Sequence, residues 1–164
     1  MKPSFKKMGT REVFFNTLTK LMEKDTSIVF ITGDLGYPFL EPLGKKFPDR
    51  VMNIGTMEQS MIGIACGLAR AGLKPYVYST TNFILFRTLE QVRNDVVYQK
   101  MNVKLIGISM SGFLGISHCM LHKNEDINLC KNIKLKYALA DKVKNTKNVI
   151  LNSYKNKKPI FIRL

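Results

Sequence analysis

Glu58 is the carboxylate best placed for chemistry in this sequence. It follows the turn Asn53-Ile54-Gly55-Thr56-Met57 and precedes the mostly apolar run from Met61 to Ala69, so it belongs to the first turn of a helix entered directly from a strand. An acid there complements the helix macrodipole and needs no further role. The same carboxylate, set at the end of a sheet, could instead hold or move a proton. Phe83 and Phe86 lie just past another apolar strand, in Thr80-Thr81-Asn82-Phe83-Ile84-Leu85-Phe86. Such a pair packs into a core or offers its faces to a flat heterocycle, since offset stacking suits another aromatic ring. His118 and His122 fall in a stretch rich in glycine and hydroxyl residues, where an imidazole is either solvated or available for proton transfer and substrate-hydroxyl contact. Cys66, Cys119 and Cys130 show no C-x-x-C spacing, which points to a reducing compartment and no structural zinc.

The elements that must position these residues follow from periodicity. Apolar, β-branched runs predict strands over residues 27–32, 51–54, 76–79, 103–108, 135–139 and 159–163. Helical spacing predicts helices over residues 10–24, with Thr10 as cap, and over 38–46, 57–71, 88–100, 125–131 and 141–154. Alternating strands and helices imply an α/β fold with a mostly parallel sheet covered by helices on both faces. Ligands of such sheets collect where strands end. The segments to watch are therefore residues 33–36, 55–59, 79–86 and 109–122. Gly63, Gly67 and Ala71 recur every fourth residue and leave one helix face without bulk, so a close packing partner is expected there.

At 164 residues with 45% hydrophobic content, one domain with an ordinary core is expected over residues 1–164. The net charge of +14 comes mostly from lysines scattered along the chain. Scattered cations without interleaved aromatics disfavour nucleic acid and suit an acidic partner or a phosphorylated substrate. The basic N-terminus lacks the apolar stretch of a secretory signal, and no segment reaches the ~20 apolar residues of a membrane span. A cytoplasmic protein is expected.

Phe47-Pro48-Asp49-Arg50, followed by Asn53-Ile54-Gly55-Thr56-Met57-Glu58-Gln59-Ser60-Met61-Ile62-Gly63-Ile64-Ala65-Cys66-Gly67-Leu68-Ala69, resembles the pyrimidine-binding domain of the transketolase and deoxyxylulose-phosphate synthase family of thiamine-diphosphate enzymes. Thr56 replaces the usual isoleucine or valine. The resemblance continues through Gly72-Leu73-Lys74-Pro75, Tyr78-Ser79-Thr80, Glu90-Gln91-Val92-Arg93-Asn94-Asp95 and the closing Lys158-Pro159-Ile160-Phe161-Ile162-Arg163-Leu164. It implies that Glu58 hydrogen-bonds a ring nitrogen of the aminopyrimidine and promotes the imino form that deprotonates the thiazolium carbon. It further implies that Phe83 stacks on the pyrimidine, that Phe86 forms a second wall, and that Asp34, in Gly33-Asp34-Leu35-Gly36, lies close to the cofactor.

The Gly-Asp-Gly motif that marks the family's magnesium and diphosphate site is absent from this sequence, as are segments matching the diphosphate-binding and C-terminal domains. The resemblance therefore implies a split enzyme whose partner chain supplies the ligands for magnesium and the diphosphate, in a heteromer such as an α2β2 heterotetramer. The glycine face of the Glu58 helix could serve that interface. The stretch Gly115 to Asp126 departs from the family's substrate loop, with Leu121 at the histidine position and His118 and His122 nearby. The substrate, a sugar or a keto compound, is left open. Two-carbon ketol transfer leads, with a 2-keto acid decarboxylating subunit or a non-catalytic partner subunit as alternatives.

Overall fold

A computed structural model describes residues 9–108, 116–118 and 120–164. The apolar runs form β1 (Ile28–Thr32), β2 (Val51–Asn53), β3 (Lys74–Thr80), β4 (Lys104–Ile108), β5 (Lys136–Leu139) and β6 (Ile160–Arg163). They make one six-stranded sheet in the order β2-β1-β3-β4-β6-β5, with every neighbouring pair parallel. Parallel neighbours need crossovers. The helices α1 (Thr10–Lys24), α2 (Leu40–Lys46), α3 (Glu58–Arg70), α4 (Leu89–Gln91), α5 (Glu125–Asn132) and α6 (Val143–Lys155) lie between or before the strands. The α/β class expected from the alternation is thus the observed one.

Both sheet faces are covered, and the period of two divides the strand residues between two cores. Phe30, Tyr76, Tyr78, Ile106 and Ile162 pack with Phe14, Leu18 and Met22 of α1 and Ile150 of α6. Ile31, Val77, Leu105 and Phe161 pack on the opposite face with Met61, Ile62 and Ala65 of α3, Val92, Val96 and Cys130. A one-residue slip of any inner strand would exchange these two sets, so burial fixes the register.

Three expectations change in detail. Thr10 is the first helical residue, while Gly9 occupies the cap position and makes no side-chain capping bond. The helix expected over residues 88–100 starts earlier and winds more widely: Asn82–Arg87 and Val92–Tyr98 are π-helical, on either side of α4. Such segments are rare and often sit at functional sites; the first of them carries Phe83 and Arg87. Finally, a Cβ added at Gly63 or Gly67 would meet nothing within 4 Å. The smooth face of α3 therefore has no close packing partner among the described residues.

Asp25 ties together the end of α1, the start of β3 and the end of α6. Its Oδ1 accepts hydrogen bonds from the Ser27 amide at 2.9 Å and hydroxyl at 2.5 Å, and its Oδ2 from Lys74 at 2.5 Å and the Tyr154 hydroxyl at 2.9 Å. Burial alone would raise its pKa, but the bonds from Lys74, Ser27 and Tyr154 outweigh it and hold the carboxyl well below the usual range. A group depressed on folding stabilises above its unfolded pKa, and that contribution fades as pH falls toward the folded value. Asp25→Asn is expected to cost roughly 2 kcal/mol at neutral pH and distinctly less near pH ~2, where the unfolded carboxyl is already protonated. Urea unfolding at both pH values checks this, and an equal loss at both would contradict it.

Candidate functional site

The chain passes from β1 outward to β2, then returns across β1 to β3. Loops leaving β1 and β3 therefore diverge, and a crevice opens at their carboxyl ends. Three loop ends line it. Gly33 follows β1 so closely against the β2–α3 turn that an added Cβ would stand 2.8 Å from the Gly55 carbonyl and 3.6 Å from Glu58 Oε1. Gly55, at φ +76°, takes a left-handed conformation that favours glycine. The Asn53 side-chain oxygen joins the two turns, accepting from the Asp34 amide at 2.8 Å and the Gly55 amide at 3.2 Å.

These constraints deliver Glu58 as the first residue of α3 with only 2% of its surface exposed. Its Oε2 accepts a hydrogen bond from Arg87 Nη1 at 2.8 Å. The Arg87 guanidinium carbon also lies 3.7 Å from the centre of the Phe83 ring, a close cation–π contact. The Arg87 carbonyl accepts from Gln59 Nε2 at 3.2 Å, which fastens the π-helical segment to α3. His118 meets Phe83 edge-on, with ring centres 4.9 Å apart and planes at 64°. Its Nδ1 shares a hydrogen bond with the Ser117 hydroxyl at 3.1 Å. The Asn82 amide donates to the Ser117 carbonyl at 3.2 Å, connecting the segments that follow β3 and β4.

Glu58, Phe83 and His118 are thus brought together, and Arg87 joins them, a residue that neither periodicity nor the family pattern singles out. A signal existed, because Phe83 and Arg87 are four residues apart and helical winding sets such residues near each other. The other candidates stand elsewhere or face outward. Asp34, at φ +56°, is exposed; its Oδ1 accepts from the Tyr37 hydroxyl at 3.2 Å and Asn53 Nδ2 at 3.3 Å. Phe86 is 41% exposed. His122 is exposed, and its amide donates to Glu125 Oε2 at 3.4 Å.

The Glu125-Asp126 pair has a structural task at the mouth of the site. Glu125 Oε1 accepts the Leu121 amide at 2.8 Å, while Asp126, fully buried, accepts from Arg163 Nη1 with both carboxylate oxygens, at 3.0 and 3.1 Å. A charge-assisted contact of this kind compensates the charge of a buried carboxylate. The start of α5 is thereby locked to the end of β6. Residues 109–115 and Cys119, and with them Gly115 and Cys119 of the expected substrate loop, lie outside the described residues.

The donor set suits a flat heterocycle bearing N–H groups. A buried carboxylate offers an acceptor, and an aromatic face lies beside it at the distance a guanidinium already uses. This is the chemistry an aminopyrimidine presents, so the residues present fit the pyrimidine half of thiamine diphosphate. Among the described residues no group of three or more His, Cys, Asp or Glu side chains is arranged to hold a metal ion. Cys66 and Cys130 are free thiols; burial pushes them up to about 11 and about 12, which suppresses thiolate reactivity. No described helix is long and apolar enough to cross a membrane.

Comparison with known proteins agrees with this geometry. Residues 6–164 match the family described as transketolase, pyrimidine binding domain. An apulose-4-phosphate transketolase subunit of Phocaeicola vulgatus is 31% identical over 162 residues, covering 96% of this chain and 51% of that protein. The putative transketolase C-terminal section of Methanocaldococcus jannaschii is 36% identical over 162 residues, covering 95% and 50%. A solved split gene transketolase, described as an inactive beta4 tetramer, superposes with a TM-score of 0.84 at 28% identity over 96% of this chain and 51% of that one. The chain spans about half the length of these relatives. With a buried glutamate opening α3, an aromatic face beside it and a family match across nearly its whole length, this chain belongs to the transketolase family through its pyrimidine-binding domain.

Proposed function

We propose that this chain is one component of a split transketolase-like transferase, binding the aminopyrimidine of thiamine diphosphate and activating the cofactor for two-carbon ketol transfer. The observation that carries this reading is the buried Glu58 carboxylate beside the Phe83 face, both engaged by a planar N–H donor. When bound, thiamine diphosphate supplies the carbon nucleophile that carries the two-carbon unit. Phe83 orients the ring by stacking, and the edge-on His118 limits rotation of Phe83 itself. Glu58 accepts an N–H of the ring and holds negative charge where almost no water reaches it, so its pull on that proton is weakly screened.

The partner chain supplies the diphosphate site and the ligands for magnesium, and an α2β2 heterotetramer in the cytoplasm is the assembly this reading calls for. The open glycine face of α3 is available for such an interface. Relatives named as subunits of apulose-4-phosphate transketolases and of a 6-deoxy-6-sulfo-D-fructose transketolase support a small sugar or sugar phosphate as the substrate class. The test is calorimetric titration of thiamine diphosphate with magnesium into this chain, into its candidate partner, and into the two mixed. Saturable binding confined to the mixture is the expected result. A demonstrably assembled complex that binds no cofactor would overturn the catalytic reading and leave a non-catalytic role.

A further inference from the structure

Arg87 engages both groups that the cofactor would need. Its Nη1 donates to Glu58 Oε2 at 2.8 Å, and its guanidinium carbon lies over the Phe83 ring, 3.7 Å from the ring centre. A guanidinium and an aminopyrimidine share the relevant features: both are planar, both present N–H donors along an edge, and both stack on aromatic faces. Two planar groups cannot occupy one face of Phe83 and one oxygen of Glu58 together. His118 meets the same ring in a T-shaped contact.

We propose that Arg87 is the chain's own placeholder for the aminopyrimidine, a gating residue that covers Phe83 and neutralises Glu58 until the cofactor displaces it. This inference rests on the function proposed above. The exposures fit a group that holds and then leaves: the Glu58 side chain is 1% exposed and stays within the fold, whereas the Arg87 side chain is 45% exposed and has water to swing into. The Arg87 backbone need not move, because Gln59 anchors its carbonyl from α3. The arrangement solves a definite problem. A buried carboxylate without a partner is costly, so a chain that keeps one for a ligand gains stability from an internal cation while the ligand is away.

The cost falls on affinity, since a site that is open only part of the time binds more weakly by the fraction open. Titration of thiamine diphosphate with magnesium into the assembled complex tests this, comparing wild type, Arg87→Gln, Arg87→Lys and Glu58→Gln. Arg87→Gln is expected to lower the dissociation constant about tenfold. Arg87→Lys is expected to fall between it and wild type, because lysine keeps the charge but loses the planar stack. Arginine side-chain NMR on the apo complex supplies a second readout: the Arg87 Nη–H signal should be shifted and protected, should be less so in Glu58→Gln, where a charge-assisted bond becomes a neutral one, and should collapse toward solvent values in wild type as cofactor is added. Unchanged or weaker binding in Arg87→Gln, while wild type still binds, would overturn the placeholder alone. If no variant binds cofactor, the proposed function falls and the placeholder with it.

Discussion

Glu58→Gln is expected to lower turnover of the assembled enzyme by about 10²- to 10⁴-fold, the usual range for removing a positioned acid–base group, with little change in fold. The amide matches the carboxylate in shape and can still accept the Arg87 hydrogen bond seen at 2.8 Å. What it lacks is the negative charge that would draw a proton toward it. The position makes this loss severe, because a side chain with 1% exposure has no nearby water to substitute for it. Stability should change by only about 1 kcal/mol, since one charge-assisted bond becomes a neutral one. Steady-state turnover with a ketose donor, paired with thermal unfolding, separates the two effects. Activity within tenfold of wild type would reduce Glu58 to an acid that merely complements the dipole of α3.

The second large effect concerns stability. Gly107, in the middle of β4, has no room for a side chain: an added Cβ would stand 2.5 Å from Phe161 Cε2, 2.9 Å from Phe161 Cζ and 2.8 Å from Thr81 Oγ1. Phe161 is fully buried in β6, and Gly107 pairs directly with Ser79 and Arg163 on the neighbouring strands. Neither wall can retreat without disturbing the sheet. Overpacking of a dense core costs about 1–3 kcal/mol and sometimes more. Gly107→Ala is therefore expected at the upper end, about 3 kcal/mol, against a total stability of roughly 5–15 kcal/mol for a domain. Thr81 immediately precedes the segment that carries Phe83, so the same change should disturb the site. Adding Phe161→Leu should restore part of the loss; chemical denaturation of the single and double variants measures it. A Gly107→Ala chain as stable as wild type would mean that the Phe161 ring has a second resting place.

Much of the architecture was legible in the linear order of residues. Short β-branched runs alternating with helical spacing named all six strands within a residue or two, because a strand buried on both faces must be apolar throughout. Gly55 and the acid three residues on located the entrance to α3, since local backbone sterics and the helix dipole act over a few residues. The family pattern singled out Glu58 and Phe83, and these are the two side chains that the fold places beside each other's partners. The same pattern also selected Asp34 and Phe86, and the departure from it in the substrate loop brought in His122; the usefulness of all three depends on direction, and in the folded chain they face Tyr37 and Asn53 or the solvent.

What this sequence determined by itself was therefore the kind of element at each position, the helix/strand alternation that demands a parallel sheet, and the acid and aromatic of the candidate site. Those properties depend on interactions between near neighbours or on a periodic apolar face. Only the tertiary structure decided the order β2-β1-β3-β4-β6-β5, the π-helical winding of Asn82–Arg87 and Val92–Tyr98, and the capture of both Glu58 and Phe83 by Arg87. An arginine at that position could have pointed into solvent with the same local sequence. Its partner lies 29 residues away on another helix, and the choice is made by long-range strand pairing that brings the carboxylate within reach and leaves it too buried to stay unpaired.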